Sequence, residues 1–223
     1  MKLYTDTDLL NYLLNDTVLQ KLSNYRGDEK FASHNWLLAI PAKRMIYNDV
    51  YGHLFGGDRK KVLDIGGGFC GLSRELFSEH DYTLIDTMNH DEQKMVETLL
   101  NEYGERLIQK DWLEFEPKSQ YNFIIANDVF PNVDQRLELF IKKFRPFGDI
   151  ILILTAYNNR FYKVKRIDAD EIFTIQSLDI ETIQFILKKI VGTELFQVSI
   201  TNETGGSIFS NGRFVYKIII PRL

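Results

Sequence analysis

Between residues 62 and 71 the chain reads VLDIGGGFCG, an apolar run that ends in an aspartate and then breaks into four glycines within six positions. Glycine lets a neighbour come close to the main chain and tolerates backbone angles that other residues avoid. The spacing Gly66-x-Gly68-x-x-Gly71 therefore marks a place of close approach. Three readings fit it. One is a tightly packed strand-to-helix turn with no ligand. A dinucleotide site is another, with a pyrophosphate over the helix start. Asp64 argues against that, because a carboxylate two residues before the first glycine repels a pyrophosphate and attracts a cation. The third is therefore a positively charged ligand. Further along, Asp86 closes a second apolar run in LIDTM, where an acid is suited to the ribose hydroxyls of a nucleoside.

These residues need a scaffold, and the order of elements beyond residue 58 supplies one. Strand-like and helix-like segments alternate, the pattern of an α/β fold with a mainly parallel sheet. Strands are expected at Lys61 to Ile65, Tyr82 to Ile85, Leu107 to Gln109, Tyr121 to Ala126 and in DIILILT. Between them, helical spacing runs from Gly71 through Leu72, Leu76 and Phe77, through Met95, Leu99 and Leu100, and from Val133 through Leu137, Phe140, Ile141 and Phe144. Asp179 reads as the N-cap of a further helix. Two β-rich runs, ELFQVSI and RFVYKIII, follow, and Asn211-Gly212 makes a tight turn before the last, so one antiparallel strand is expected there.

Residues 1–57 differ. They suggest helices, one with Leu9, Leu13 and Leu14 and another from Pro41 through Ile46, Val50 and Leu54, without strand alternation. Either they are a packing extension or they form a lid over the ligand. The rest, residues 58–223, reads as one domain.

Composition excludes several classes. No apolar stretch reaches the 18 or more residues of a membrane span, and the N-terminus MKLYTDTDLL has neither a basic start nor an apolar signal core. One cysteine, Cys70, cannot form an internal disulfide, which agrees with a reducing compartment, so a cytoplasmic protein is expected. With 27 basic and 31 acidic residues the net charge is -4, and no global field draws the chain to nucleic acid or an anionic membrane.

In VLDIGGGFCG, LIDTM and the stretch IIANDVFPNVDQRLELF, the sequence resembles the class I S-adenosylmethionine (SAM)-dependent methyltransferases. The likeness runs over about residues 58–220 and is strongest from Val62 to Asp86 and from Ala126 to Arg136. SAM carries a sulfonium and an ammonium and no phosphate, so an acid beside a glycine turn suits it. The resemblance implies a Rossmann-like three-layer sandwich with a mostly parallel seven-stranded sheet, its last strand antiparallel, plus the N-terminal helical extension. SAM would be the cofactor and S-adenosylhomocysteine (SAH) its product. Asp64, Gly66, Gly67 and Gly68 would hold the methionine part, with the glycines making room for it. Asp86 would accept from the ribose, Thr87 and Met88 would flank the adenine, and Asp111 and Trp112 in QKDWLEF would meet its amino edge. Asn127 would lie at the methionine end. Met88 reads equally well as core, and Asp111 as a helix or turn cap.

Asn127 to Phe130 echoes the Asn-Pro-Pro-Tyr signature of amino-group methyltransferases only at its ends, without the two prolines, which favours an oxygen acceptor. An alcohol acceptor profits from a base. Asp128 and His90 are the candidates near strand ends, with His34 and His53 in the N-terminal segment. After the fifth strand, NNRFYKVKRID offers Arg160, Lys163, Lys165 and Arg166, either a solvated face or a phosphate-binding substrate loop. The leading expectation is methylation of a small molecule, a phosphorylated or nucleotide-linked sugar or related surface-glycan precursor. RNA methylation and a catalytically silent SAM-binding module are the alternatives.

Overall fold

The computed structural model describes the chain apart from residues 132–133, 158–160, 167–170, 177 and 193–206. A two-residue strand β1 (Lys2–Leu3) leads into α1 (Asp6–Leu13), α2 (Thr17–Leu22), α3 (Ala32–Ala39) and α4 (Pro41–Tyr51). Alternation follows: β2 (Lys61–Ile65), α5 (Gly71–Glu79), β3 (Asp81–Asp86), α6 (Gln93–Tyr103), β4 (Leu107–Gln109), β5 (Phe123–Asn127), α7 (Leu137–Phe144) and β6 (Asp149–Ala156). A hairpin of β7 (Phe161–Arg166) and β8 (Glu171–Gln176) precedes α8 (Ile180–Val191) and β9 (Phe214–Ile220).

Local chemistry accounts for several of these ends. Thr5 and Asp8 form a reciprocal capping box at α1, Pro41 occupies the first turn of α4, and the Asp179 carboxylate accepts from the Thr182 amide at 2.7 Å to start α8. Gly212, at φ +77°, makes the expected turn into β9, its amide bonded to the Phe209 carbonyl.

The main sheet has the order β1-β9-β6-β5-β2-β3-β4. Strands β2 to β6 are parallel, and β9 runs against both of its neighbours, so six strands share one direction and one is reversed. This is the expected fold with two changes. The seventh described strand is β1, from the N-terminal segment, and two residues are too few for an alternation pattern to show. The run ELFQVSI lies outside the described residues, as does Val133. The segment expected to be a loop after the fifth strand is instead β7, antiparallel to β8 in a sheet of its own.

The strands alternate their side chains between two cores. Val62, Leu84, Ile125, Ile151 and Ile153 face a layer that includes α5 and α6. On the other face Leu63, Ile65, Ile124, Ala126, Ile150 and Leu152 pack on α7 and α8 through Phe140, Phe144, Ile183 and Leu187. Residues 1–57 supply much of the first layer, with Tyr4, Leu22, Phe31, Val50, Tyr51 and Leu54 all at most 1% exposed. Each such side chain stabilises the fold by about 1.5–3 kcal/mol. Leu13 and Leu14, by contrast, point to solvent, and α1 packs through Leu9 and Tyr12. No helix among the described residues is long and apolar enough to cross a membrane.

Candidate active site

Strands β3 and β4 lie on one side of β2 and β5 and β6 on the other, so the connection reverses direction at the β2/β5 junction. Open α/β sheets hold ligands outside the carboxyl ends of the strands at such a switch point. A cavity of about 710 Å³ opens there, within the usual range for a small-molecule site. Gly66 to Gly68, Asp86 to Asp91, Lys110 to Trp112 and Asn127 to Val129 form its floor, while Ser33, Trp36, Ile40 and Lys43 close it from α3 and α4.

Gly66, Gly67 and Gly68 border this cavity, and at all four glycines of the loop an added side chain would meet protein. Gly66 (φ +70°) and Gly68 (φ +64°) have left-handed backbones that favour glycine. A Cβ on Gly66 would meet Val129, one on Gly67 would stand 2.6 Å from Asp64 Oδ1, one on Gly68 would strike the Ser33 hydroxyl, and one on Gly71 would strike Tyr25. Protein side chains thus fill the space a Cβ would take at each of the four. Two of the four neighbours come from the N-terminal segment.

Asp64 lies one layer behind the cavity wall, 2% exposed and under Gly67. Its Oδ2 accepts from the Tyr51 hydroxyl at 2.8 Å and the Tyr82 hydroxyl at 2.6 Å. Oδ1 has no hydrogen-bond partner among the described residues. Burial pushes this carboxyl up to about 7, against the lowering effect of the two tyrosines.

Asp86, at the end of β3, is on the wall. Its Oδ2 accepts from the Gly68 amide at 2.9 Å and its Oδ1 from the Met88 amide at 2.7 Å. Desolvation raises its pKa and the two amides oppose that. A carboxylate has about four acceptor positions, so each oxygen keeps one to offer. Thr87 and Met88 continue the wall. Met88 is 3% exposed with φ +52°, and Asp128 has φ +61°; left-handed backbone at non-glycine residues is costly and clusters at functional sites.

Asp111 and Trp112 reach the cavity but have structural partners. Asp111 caps the following turn through the Leu113 amide at 2.8 Å and pairs with Arg136 at 2.8 Å. The Trp112 indole donates to Asp134 at 2.8 Å and packs edge-on to Phe130 and Phe140. The Arg136 guanidinium lies 4.8 Å over the Trp112 ring. Asn127, at the end of β5, and His90, edge-on to Trp36 at 5.2 Å, are also on the wall.

The Asp128 carboxylate is strongly engaged. Thr155 donates to Oδ1 at 2.6 Å, while Arg213 at 3.2 Å and Lys43 at 3.4 Å share Oδ2. His34 is fully buried, and its Nδ1 accepts the Gly71 amide at 3.0 Å, so it caps α5; burial lowers its pKa. His53 packs edge-on to Phe123, likewise lowered by burial. Neither lines the cavity.

Of the basic side chains in that run, only that of Lys163 is among the described residues, and it does not line the cavity. Lys163 is exposed on β7, Arg160 lies outside the described residues, and so do the side chains of Lys165 and Arg166. Sequence reasoning missed Lys43, Arg213, Trp36 and Ser33. Lys43 and Arg213 stand 170 positions apart in sequence, so no local spacing links them.

No family model matches the chain, and no curated protein is detectably similar to it. Solved structures do share its shape. A DhpI–SAH complex superposes with a TM-score of 0.52 at 17% identity, covering 92% of this chain and 97% of that one. A 1,6-didemethyltoxoflavin-N1-methyltransferase from Burkholderia thailandensis gives 0.46 at 15% identity, over 99% and 92%. A SAM-dependent methyltransferase from Clostridium acetobutylicum gives 0.46 at 16% identity, over 80% and 89%. With its strand order and the first of these superpositions, the chain has the Rossmann-like methyltransferase fold.

Proposed function

We propose that this chain transfers a methyl group from SAM to an oxygen of a small-molecule acceptor, such as a phosphorylated or nucleotide-linked sugar. The observation that carries the reading is the pair of acids around the glycine loop. Among the described residues Asp64 Oδ1 is buried without a partner behind Gly67, and Asp86, on the cavity wall, has two half-used oxygens. A ribose diol would satisfy Asp86 and a cation over Gly67 would be drawn by Asp64 across the backbone, whereas a pyrophosphate there would lie close to two acids. The DhpI neighbour was solved with SAH, which supports the same choice.

Bound SAM supplies a methyl group already activated on a positively charged sulfur. The chain's own task is then alignment and exclusion of water. Asp86 would hold the ribose, Thr87, Met88 and Asp111 the adenine, and Asn127 the methionine end. Trp36 and Ile40 would cover the acceptor, giving residues 1–57 the part of a fixed lid. His90 is assigned to take a proton from an acceptor hydroxyl. Asp128 is assigned to orientation, because acting as a base would mean giving up its bonds to Lys43 and Arg213.

Titration calorimetry with SAM, SAH and NAD tests the cofactor, followed by a mass-spectrometric methyl-transfer screen over phosphorylated and nucleotide-linked sugars. Binding of SAH without NAD is expected. NAD binding with no heat from SAM or SAH would overturn the reading.

A further inference from the structure

We infer that the acceptor end of the cavity contains a seat for an oxyanion, formed by Lys43 and Arg213 and held in place by Asp128. Three distant segments converge there: Lys43 comes from α4, Asp128 follows β5, and Arg213 immediately precedes β9. Both cations meet the same oxygen, Asp128 Oδ2, and the Thr155 hydroxyl fixes the other. Among the described residues the cluster thus carries two positive charges against one negative charge. Its contacts of 3.2 and 3.4 Å are longer than the 2.7–2.9 Å typical of charge-assisted hydrogen bonds. A second anion would face a net positive site with donor capacity to spare.

Arg213 makes the argument specific. Its side chain is only 10% exposed, it lines the cavity, and its Nε has no hydrogen-bond partner among the described residues. A buried N–H left unpaired is unfavourable, most of all on a charged group. The guanidinium lies 3.7 Å from the centre of the Phe209 ring, which fixes its plane in advance of binding. Lys43 is similarly braced, its ammonium 5.3 Å over Trp36. A planar donor set beside a point charge, both already ordered, suits a carboxylate or a phosphoryl group borne by the acceptor. This deepens the methyltransferase reading and rests on it for the word acceptor, but the seat itself can be tested apart from it.

The experiment titrates inorganic phosphate and, separately, acetate into the full-length protein, alone and saturated with SAH. At least one anion is expected to bind at a single site, and the stronger of the two tells which oxyanion the seat prefers. Lys43→Gln and Arg213→Gln should each weaken that binding at least tenfold while SAH affinity stays within twofold. Lys43 is the safer variant for folding, being 26% exposed on its side chain. Arg213→Lys should recover only part of the loss, since it restores charge without Nε. Absence of anion binding, or equal binding in a folded Lys43→Gln protein, would sink the seat. Anion binding that persists when SAH fails to bind would keep the seat and sink the cofactor reading instead.

Discussion

The hydroxyl of Tyr51, the last residue of α4, donates to Asp64 Oδ2 at 2.8 Å, beside the Tyr82 hydroxyl at 2.6 Å. The aspartate of the glycine loop therefore takes one of its two partners from the N-terminal segment. Both tyrosines have pKa values raised well above 10 by burial, so they remain donors at any physiological pH. Segment and loop form one polar cluster inside one core. Cutting the chain at residue 57 would remove both a hydrogen bond and a large part of the first hydrophobic layer.

Tyr51→Phe should destabilise the protein by about 1–3 kcal/mol at pH 8, where Asp64 is charged, and by less at pH 5. Denaturant unfolding at the two pH values measures this. An equal loss at both would mean the hydroxyl does not serve the ionised carboxylate.

Asp64 also gives stability a pH dependence with a definite sign. Its folded pKa of about 7 lies above the ordinary carboxylate value of about 3.9. Between those limits the folded state binds the proton more tightly than the unfolded chain does, so stability declines as pH rises from about 4 to about 7 and then levels off. Asp64→Asn should flatten that decline. In the wild type, SAH affinity should rise with pH through 7, because its ammonium, on the other side of the Gly67 backbone, would lie near a carboxylate in place of a neutral acid. Calorimetry at pH 6 and pH 8 decides it, and a pH-independent affinity would separate Asp64 from the ligand.

Asp86→Asn should weaken SAH by roughly tenfold or more, since hydrogen bonds to a charged acceptor are worth about 1.5–3 kcal/mol each. Asp111→Ala should do less, as one of its oxygens caps a turn and the other meets Arg136. Melting temperatures would show that both variants fold. The reverse ranking would exchange their roles.

The fold and the glycine-loop side of the cavity were legible in the sequence because both depend on local order. Strands such as DIILILT, the glycine loop and the acid at the end of LIDTM are each written in a few consecutive residues, and β2, β6, α5 and Asp86 fall where those patterns put them. The opposite side of the cavity depends on distant pairings. Lys43 and Arg213 meet only because β9 inserts beside β6 and α4 crosses the strand ends. The basic run drew attention by its local density of charge, whereas the pairing of its residues Phe161–Arg166, strand β7, with β8 is not written in that density. The glycine spacing announced close approach, but no local pattern could say that Ser33 and Tyr25 are among the neighbours that approach.

That last contact yields a paired test. Gly68→Ala would place a methyl group against the Ser33 hydroxyl on a backbone at φ +64°. Overpacking of this kind costs about 1–3 kcal/mol, and the left-handed backbone adds about 1 kcal/mol for a residue with a Cβ. Ser33→Gly removes the obstructing side chain and leaves the backbone term, so the double variant should recover most of the packing loss but not all of the stability. Both terms act where α3 seats on the loop, so SAH affinity should fall in Gly68→Ala and return with Ser33→Gly. Chemical denaturation and calorimetry on the four members of the cycle give the coupling directly. Additive effects, with no rescue of either stability or affinity, would show that α3 does not rest on Gly68 in solution and that the cavity is open on that side.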